Sequence, residues 1–124
     1  MKFKTTTVRG HGRGKDLGFP TVNMVIPDTM SLTLQSGVYA ARAIIENKKY
    51  GGALYYGPVP TFKQKELTLE IYLFDTIDFS VRDGTEIEIE IVKFIRPVMT
   101  FGLPELLVNQ MEKDVEAVHA ALKV

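Results

Sequence analysis

The sequence of 124 residues predicts a mainly β fold, a six-stranded antiparallel Greek-key β-barrel with one C-terminal α-helix packed against it. Two observations support this prediction. Strand patterns follow one another between residues 21 and 95, separated by short turn signals. After residue 104, the apolar residues change from the spacing of a strand to the spacing of a helix. The length suits one compact domain, so we expect residues 1–124 to form a single domain.

Five of the strands can be placed along the chain, at 21–26, 37–46, 49–57, 66–74 and 85–95. The second and third flank Asn47-Lys48, which predicts a tight hairpin turn. In the fourth strand, one face is expected to carry four inward apolar residues, Leu67, Leu69, Ile71 and Leu73. In the fifth strand, isoleucines alternate with glutamates as far as Ile91, where the alternation reverses. That reversal predicts a bulge or a bend, as barrel corners require.

The C-terminal segment predicts a helix with one apolar stripe. The stripe consists of residues spaced four, four, three and four apart, namely Leu107, Met111, Val115, Val118 and Leu122. Pro104 suits the first helical turn, and Glu105 complements the positive end of the helix dipole. We expect this stripe to pack as core against the barrel.

The composition excludes several classes of function. Fifteen basic residues balance fifteen acidic ones, which argues against a dedicated nucleic-acid binder. The absence of cysteine excludes disulfides and thiolate metal sites. The sequence shows no signal peptide and no apolar run long enough to span a membrane. We therefore expect a cytoplasmic monomer without nucleic-acid or membrane partners.

The stretch GHGRGKDLGFPTVNM, Gly10 to Met24, is rich in glycine and ends in a strand pattern. A dinucleotide-binding fingerprint needs a helix directly after the glycines, so that motif is excluded. A P-loop is excluded because its first glycine and its final hydroxyl residue are missing. Two interpretations stay open: a nest of backbone N–H groups for an anion, assisted by Arg9, Arg13 and Lys15, or a mobile basic loop.

Three polar residues are candidates for chemistry. Thr21 and Asn23 lie two apart in an extended segment and share a face, so both could offer oxygen ligands to a Mg²⁺ ion that arrives with ATP. They could equally lie on an exposed strand face. Glu70 lies on the face opposite the leucines, between aromatic residues. It is either a solvated outer residue or a partly desolvated base with a raised pKa.

The motif GRGKDLGFPTVN, residues 12–23, resembles the signature of the ATP-dependent riboflavin kinase (flavokinase) family. Further matches follow in the family's order over nearly the whole chain. They are GVYAARA (37–43), GPVPTF (57–62), LEIYLFD (69–75), KFIRP (93–97) and the segment from Phe101 to Asp114. The resemblance implies transfer of the γ-phosphoryl group of ATP to the 5′-hydroxyl of riboflavin, giving FMN and ADP, on a six-stranded barrel with a C-terminal helix.

The resemblance also assigns roles to residues. Thr21 and Asn23 would bind Mg²⁺ and phosphate, and Glu70 would be the general base. The ATP-binding flap would comprise Gly12, Arg13, Gly14, Lys15, Gly18, Pro20 and Thr21. The flavin would be bound by Arg96, Phe101 and Leu106.

The sequence departs from the family pattern at several points. Tyr55 stands where a small residue or Asn is usual, Val22 replaces an alanine, and the segment 76–84 lacks a usual Tyr-Gly. No adenylyltransferase domain is present in this sequence, so we expect FMN rather than FAD as the product. Two alternatives stay open: a non-catalytic flavin- or nucleotide-binding module on the same barrel, and a kinase for another alcohol or nucleotide donor.

Overall fold

The computed structural model describes residues 1–8, 21–28, 34–59, 64–74 and 83–123. The described strands are β1 (Lys2–Val8), β2 (Val22–Met24), β3 (Gly37–Ile45), β4 (Lys48–Val59), β5 (Gln64–Leu73) and β6 (Glu86–Pro97). They are followed by the helix α1 (Pro104–Leu122).

The six strands close into a barrel in the order β1-β2-β5-β4-β3-β6. Every pair of neighbouring strands is antiparallel. Strands β3, β4 and β5 are consecutive neighbours, and β6 returns to lie beside β3, which is Greek-key order. The predicted fold class is confirmed.

The five strands placed from the sequence are all present, with ends shifted by a few residues, but β1 was not located. Its exposure alternates along the strand, with Thr7 only 3% exposed. The Thr7 hydroxyl oxygen accepts a hydrogen bond from the Thr85 N–H at 3.1 Å, which satisfies this buried polar group. Threonine takes the place of apolar residues on the inward face, so the hydrophobic alternation that marks a strand is weak here.

The β3–β4 hairpin turns one residue earlier than predicted. Ile45 pairs with Lys48, so the two turn residues are Glu46 and Asn47. Both have positive φ, 50° and 66°, as a two-residue type I′ turn requires. Asn tolerates this conformation well, whereas the presence of Glu46 in it could not be foreseen from residue preference.

The reversal of alternation after Ile91 corresponds to a bulge. Ala41 pairs with Ile91 and Ala40 pairs with Lys93, so Val92 is an extra residue in β6. The strand bends there, as predicted.

The expectation for Leu67 was wrong, because this residue is 44% exposed. The β4–β5 register is irregular opposite it, beyond Gly57, so the alternation of β5 does not extend to Leu67.

Among the described residues, the buried apolar side chains form two clusters. The larger fills the barrel and contains Met24, Tyr39, Ala41, Ala43, Ile45, Leu54, Tyr56, Leu69, Ile71, Leu73, Ile87 and Ile89. The smaller lies between α1 and the outer face of the barrel, where Val118 packs against Ala40 and Phe74. Val115, Val118 and Leu122 of the predicted apolar stripe therefore pack as core, whereas Leu107 and Met111 are half-buried and lie outside this cluster. Pro104 and Glu105 lie in the first turn of α1 as expected. No helix in the described ranges combines the length and the apolar character needed to cross a bilayer.

At Gly52, β4 lies close against β5. A Cβ at this position would lie 2.6 Å from the Tyr72 carbonyl oxygen and 2.9 Å from Ile71 Cγ1. We expect Gly52→Ala to destabilise the protein by about 1–3 kcal/mol, because the barrel wall must shift to admit the methyl group. Chemical denaturation measures this loss. Gly102→Ala is the control, since nothing lies within 4 Å of its Cβ position. Equal stability of the two variants would contradict the prediction.

Candidate functional site

The structure brings two of the predicted site residues together on the outer face of the barrel. Asn23 in β2 and Glu70 in β5 are paired directly across the two strands. Val22 packs against the barrel interior, so Asn23 points to the outside. Ile71 is fully buried inside the barrel, which places Glu70 on the same outer face. Side chains of such cross-strand pairs have Cβ atoms about 4.5–5.5 Å apart.

Thr21 directly precedes β2 and is half-buried. Because Val22 faces inward, Thr21 and Asn23 lie on the same side of the chain, as the sequence predicted. The structure therefore pairs one predicted metal ligand, Asn23, with the predicted base, and Thr21 lies two residues before Asn23 on the same side of the chain.

The line of side chains continues around the barrel. Glu70 pairs with Tyr55 in β4, Tyr55 with Val38 in β3, and Val38 with Arg96 in β6. We call the outer row Asn23, Glu70, Tyr55, Val38 and Arg96 the site row. It crosses five neighbouring strands, so residues from widely separated parts of the sequence become neighbours.

Glu70 is largely withdrawn from solvent. Burial raises the pKa of its carboxyl above the ordinary value of 4.5, because the charged form is poorly solvated. Its cross-strand neighbours Asn23 and Tyr55 are both uncharged side chains. A carboxylate in this environment is a stronger base than an exposed one, which suits proton abstraction from an alcohol.

Tyr55 is fixed beside Glu70. Its hydroxyl donates a hydrogen bond to the Pro58 carbonyl oxygen. The pKa of Tyr55 is raised to about 12, mainly because the phenol is buried; the Arg96 charge lowers it and the Glu70 charge raises it. The phenol is therefore neutral at physiological pH, and it lies within electrostatic reach of both charged members of the site row.

Arg96 anchors α1 to the barrel at the end of the site row. Its Nε and Nη2 atoms each donate to a different carboxylate oxygen of Asp114 at 2.8 Å. Gln110 Nε2 donates to Asp114 Oδ1 at 3.1 Å, and Arg96 Nη1 donates to the Pro97 carbonyl oxygen at 3.0 Å. Asp114 is only 5% exposed, so the ion pair satisfies a buried charge. The predicted contact of Arg96 with the flavin stays a prediction.

Sequence reasoning missed the partnership of Arg96 with Asp114, although a signal was present. Asp114 lies between Met111 and Val115 on the apolar stripe of α1. A carboxylate on a buried helix face needs a partner, because an isolated buried charge is strongly unfavourable. The partner's identity depends on how α1 packs against β6, which local spacing does not encode.

The other predicted site residues are placed as follows. Phe101 is half-buried in the segment between β6 and α1, and Leu106 is 48% exposed in the first turn of α1. Residues 9–20 lie outside the described residues, and with them the flap residues Gly12, Arg13, Gly14, Lys15, Gly18 and Pro20. Val8, the last described residue before this segment, pairs with Asn23.

The donor set at Thr21 and Asn23 fits a magnesium ion that brings most of its own ligands. The described ranges contain no cluster of three or more His, Cys, Asp or Glu residues arranged to hold a metal. Thr21 and Asn23 instead offer neutral oxygens on one side of the chain, and Asn23 is paired with Glu70. Mg²⁺ prefers oxygen and completes its octahedral shell with waters and substrate phosphates.

The chain is similar in sequence and in fold to known riboflavin kinases. The chain is 34% identical over 113 residues to a bifunctional riboflavin kinase/FMN adenylyltransferase of Listeria monocytogenes, covering 90% of this chain and 35% of that protein. It is 28% identical over 123 residues to the riboflavin kinase of Homo sapiens, covering 94% of this chain and 77% of that protein. The crystal structure of riboflavin kinase from Trypanosoma brucei matches with a TM-score of 0.69 at 22% identity, covering 98% of this chain and 79% of that one, which supports the fold.

The chain spans 17%, 35% and 47% of the lengths of three bacterial relatives, from Mycoplasmoides gallisepticum, Listeria monocytogenes and Bacillus subtilis. The model of the Flavokinase family, described as riboflavin kinase, matches residues 1–122. With almost the whole chain matched, this protein belongs to the Flavokinase family of riboflavin kinases.

Proposed function

We propose that this chain transfers the γ-phosphoryl group of ATP to the 5′-hydroxyl of riboflavin, giving FMN and ADP. The observation that carries the proposal is the pairing of Asn23 with Glu70 on one face of the barrel. This pairing sets an oxygen ligand suited to metal-bound phosphate beside a carboxylate suited to an alcohol. Membership of the Flavokinase family supports the choice of riboflavin as the acceptor.

Glu70 acts on the acceptor. Its carboxylate accepts the proton of the 5′-hydroxyl while the hydroxyl oxygen bonds to the γ-phosphorus. The bond from that phosphorus to the bridging oxygen breaks, and ADP leaves with the bonding electrons. Proton transfer of this kind contributes about 10²–10⁴-fold to the rate. Most of the remaining acceleration comes from aligning the two substrates and neutralising charge.

Thr21 and Asn23 are proposed to hold a Mg²⁺ ion that arrives with ATP. Held there, the ion would supply positive charge that offsets the negative charge of the triphosphate. The glycine-rich flap is proposed to bind the phosphates through backbone N–H groups and basic side chains. Its residues are Gly12, Arg13, Gly14, Lys15, Gly18, Pro20 and Thr21.

The flavin is proposed to contact Arg96, Phe101 and Leu106. The exposed side chain of Leu106 and the ring of Phe101 offer apolar surface near the start of α1. Aromatic and aliphatic surface of this kind suits the planar flavin ring system. A monomeric state, a cytoplasmic location and the absence of nucleic-acid partners stay predictions.

The test is direct. Purified protein is incubated with riboflavin, ATP and Mg²⁺, and FMN is followed by chromatography. FMN with matching ADP supports the proposal. Riboflavin binding without FMN would instead favour the non-catalytic flavin-binding module, and phosphorylation of a different alcohol would favour a kinase of other specificity.

Removal of divalent metal is expected to abolish FMN formation, and addition of Mg²⁺ to restore it. Asn23→Ala removes one proposed ligand, so we expect a higher Mg²⁺ concentration for half-maximal rate, by about tenfold for the loss of one charge-assisted contact. Steady-state rates over a Mg²⁺ titration measure this change. Asn109→Ala, at an exposed position of α1, is the control. An unchanged Mg²⁺ requirement in Asn23→Ala would argue against this ligand.

A further inference from the structure

Glu70 has a different neighbour on each side of the outer face. Asn23 in β2 pairs with it on one side, and Tyr55 in β4 pairs with it on the other. Neighbouring strands lie about 4.7–4.9 Å apart, so the two side chains flank the carboxylate from opposite directions. A molecule bound at Glu70 therefore has the Asn23 amide on one side and the Tyr55 ring on the other.

The reaction needs two substrates on opposite sides of the transferred group. The attacking and leaving oxygens lie roughly in line through the γ-phosphorus. If metal-bound phosphate occupies the Asn23 side, the side of Tyr55 is left for the carbon chain that carries the reacting hydroxyl. On the proposed function, the Asn23 side of Glu70 is thus the phosphate side and the Tyr55 side is the acceptor side.

On the acceptor side, the Tyr55 ring is held in a fixed orientation and can limit the space available to a substrate. Its hydroxyl is tied to the Pro58 carbonyl oxygen, which fixes the direction of the ring. The phenol oxygen uses its proton in that bond and keeps lone pairs that can accept a hydrogen bond from an alcohol. The pKa of about 12 keeps the side chain neutral beside the Glu70 carboxylate.

We propose that Tyr55 determines which alcohols the enzyme phosphorylates, by packing its ring against the polyol chain next to the reacting hydroxyl. The acceptor class is a primary alcohol at the end of an unbranched polyol chain. The hydroxyl of Tyr55 accepts a hydrogen bond from a neighbouring hydroxyl of that chain, and the ring excludes bulky substituents there. This inference rests on the proposed function and adds the residue that sets its acceptor specificity.

The experiment compares Tyr55→Phe and Tyr55→Ala with the unchanged protein, using riboflavin and its 4′-O-methyl derivative as acceptors. Tyr55→Phe keeps the ring and removes the hydroxyl, so we expect the KM for riboflavin to rise about two- to tenfold with little change in kcat. Tyr55→Ala removes the ring, so the preference for riboflavin over the methylated acceptor in kcat/KM is expected to fall about tenfold. The KM for ATP should change less than twofold in both variants.

Tyr72→Phe is the matched control. Tyr72 lies on the same outer face of β5, two residues from Glu70, but its ring packs beside Phe74 under α1 at 5.8 Å between centroids. This variant should leave the KM for riboflavin and the acceptor preference unchanged, whereas a general structural disturbance of the face would alter them here too.

The possible results test the proposed riboflavin kinase activity and the proposed role of Tyr55 separately. If the unchanged protein makes no FMN, the proposed function fails and the inference falls with it. If the unchanged protein is active, a riboflavin KM and acceptor preference that stay constant in both Tyr55 variants would overturn the inference alone. A rise in the KM for ATP without one for riboflavin would also overturn it, because Tyr55 would then lie on the phosphate side. If Tyr55→Ala does not fold, the KM for riboflavin in Tyr55→Phe decides.

Discussion

Replacing Glu70 by Gln is expected to lower kcat for FMN formation by about 10²–10⁴-fold while riboflavin still binds. Glutamine keeps the size and the polarity of the side chain but cannot accept the proton of the alcohol. The reacting hydroxyl then attacks without a base, although the acceptor side of the site is unchanged. Steady-state FMN formation measures the rate, and quenching of riboflavin fluorescence measures binding.

The same variant is expected to be more stable than the unchanged protein at neutral pH. Burial raises the pKa of Glu70 in the folded state above its ordinary value of 4.5, so ionisation costs the folded protein more than the unfolded chain. The folded protein therefore loses stability as the pH rises from 4.5 through the folded-state pKa. Glutamine does not ionise, so its stability advantage should grow over that range and vanish below it. Urea unfolding at a series of pH values measures the difference.

Glu66→Gln is the matched control for both measurements. Glu66 lies in the same strand as Glu70 and is exposed, so its replacement should change neither kcat nor the pH dependence of stability appreciably. Turnover by Glu70→Gln within threefold of the unchanged protein would remove Glu70 from the role of base.

Asp114→Leu is expected to destabilise the protein by about 3–5 kcal/mol, which corresponds to a fall in Tm on the order of 10 °C or more. The substitution leaves the Arg96 guanidinium with its Nε and Nη2 donors unsatisfied at a site where the side chain is only 13% exposed. An unpaired charge in such a position is poorly solvated, so the packing of α1 against β6 weakens. Thermal unfolding followed by circular dichroism measures the loss.

The double variant Arg96→Met/Asp114→Leu tests whether the stability lost in Asp114→Leu is due to the unpaired Arg96 charge. Apolar side chains of similar size leave no buried charge, so most of the lost stability should return. Glu90→Gln removes the more exposed pair with Arg42, at 3.4 Å, and should cost less than about 1 kcal/mol. If the double variant were no more stable than Asp114→Leu alone, the unpaired charge would not be the cause of the loss.

The sequence predicted those parts of the fold that local patterns encode. The alternation of Ile87, Ile89 and Ile91 and the C-terminal part of the α1 stripe, from Val115 to Leu122, follow directly from which faces are buried. Strand β1 was missed because threonines occupy two of its three inward positions, Thr5 and Thr7. The hairpin was displaced because Glu46 adopts a conformation unusual for its residue type. These exceptions depend on tertiary contacts that outweigh local preference.

The sequence named Thr21, Asn23 and Glu70 as candidates for the site, but it did not show how they are arranged. The spacing of Thr21 and Asn23 placed them on one face, and the alternation of β5 placed Glu70 outside the core. That these faces adjoin depends on β2 lying beside β5, a contact between segments almost fifty residues apart. The resemblance to a kinase family supplied the chemistry that spacing alone left open.

The barrel interior is filled by side chains, while the site row lies on the outside of the same strands. Even and odd positions of β4 and β5 are thus subject to separate selective constraints. In a saturation mutagenesis library scored for cellular abundance and for flavin production, changes at Leu54 or Ile71 should deplete the protein itself. Changes at Glu70 should reduce flavin production more than abundance, so the two phenotypes should alternate beside the site row. Outer positions that pack under α1, such as Tyr72, should affect abundance as the interior positions do.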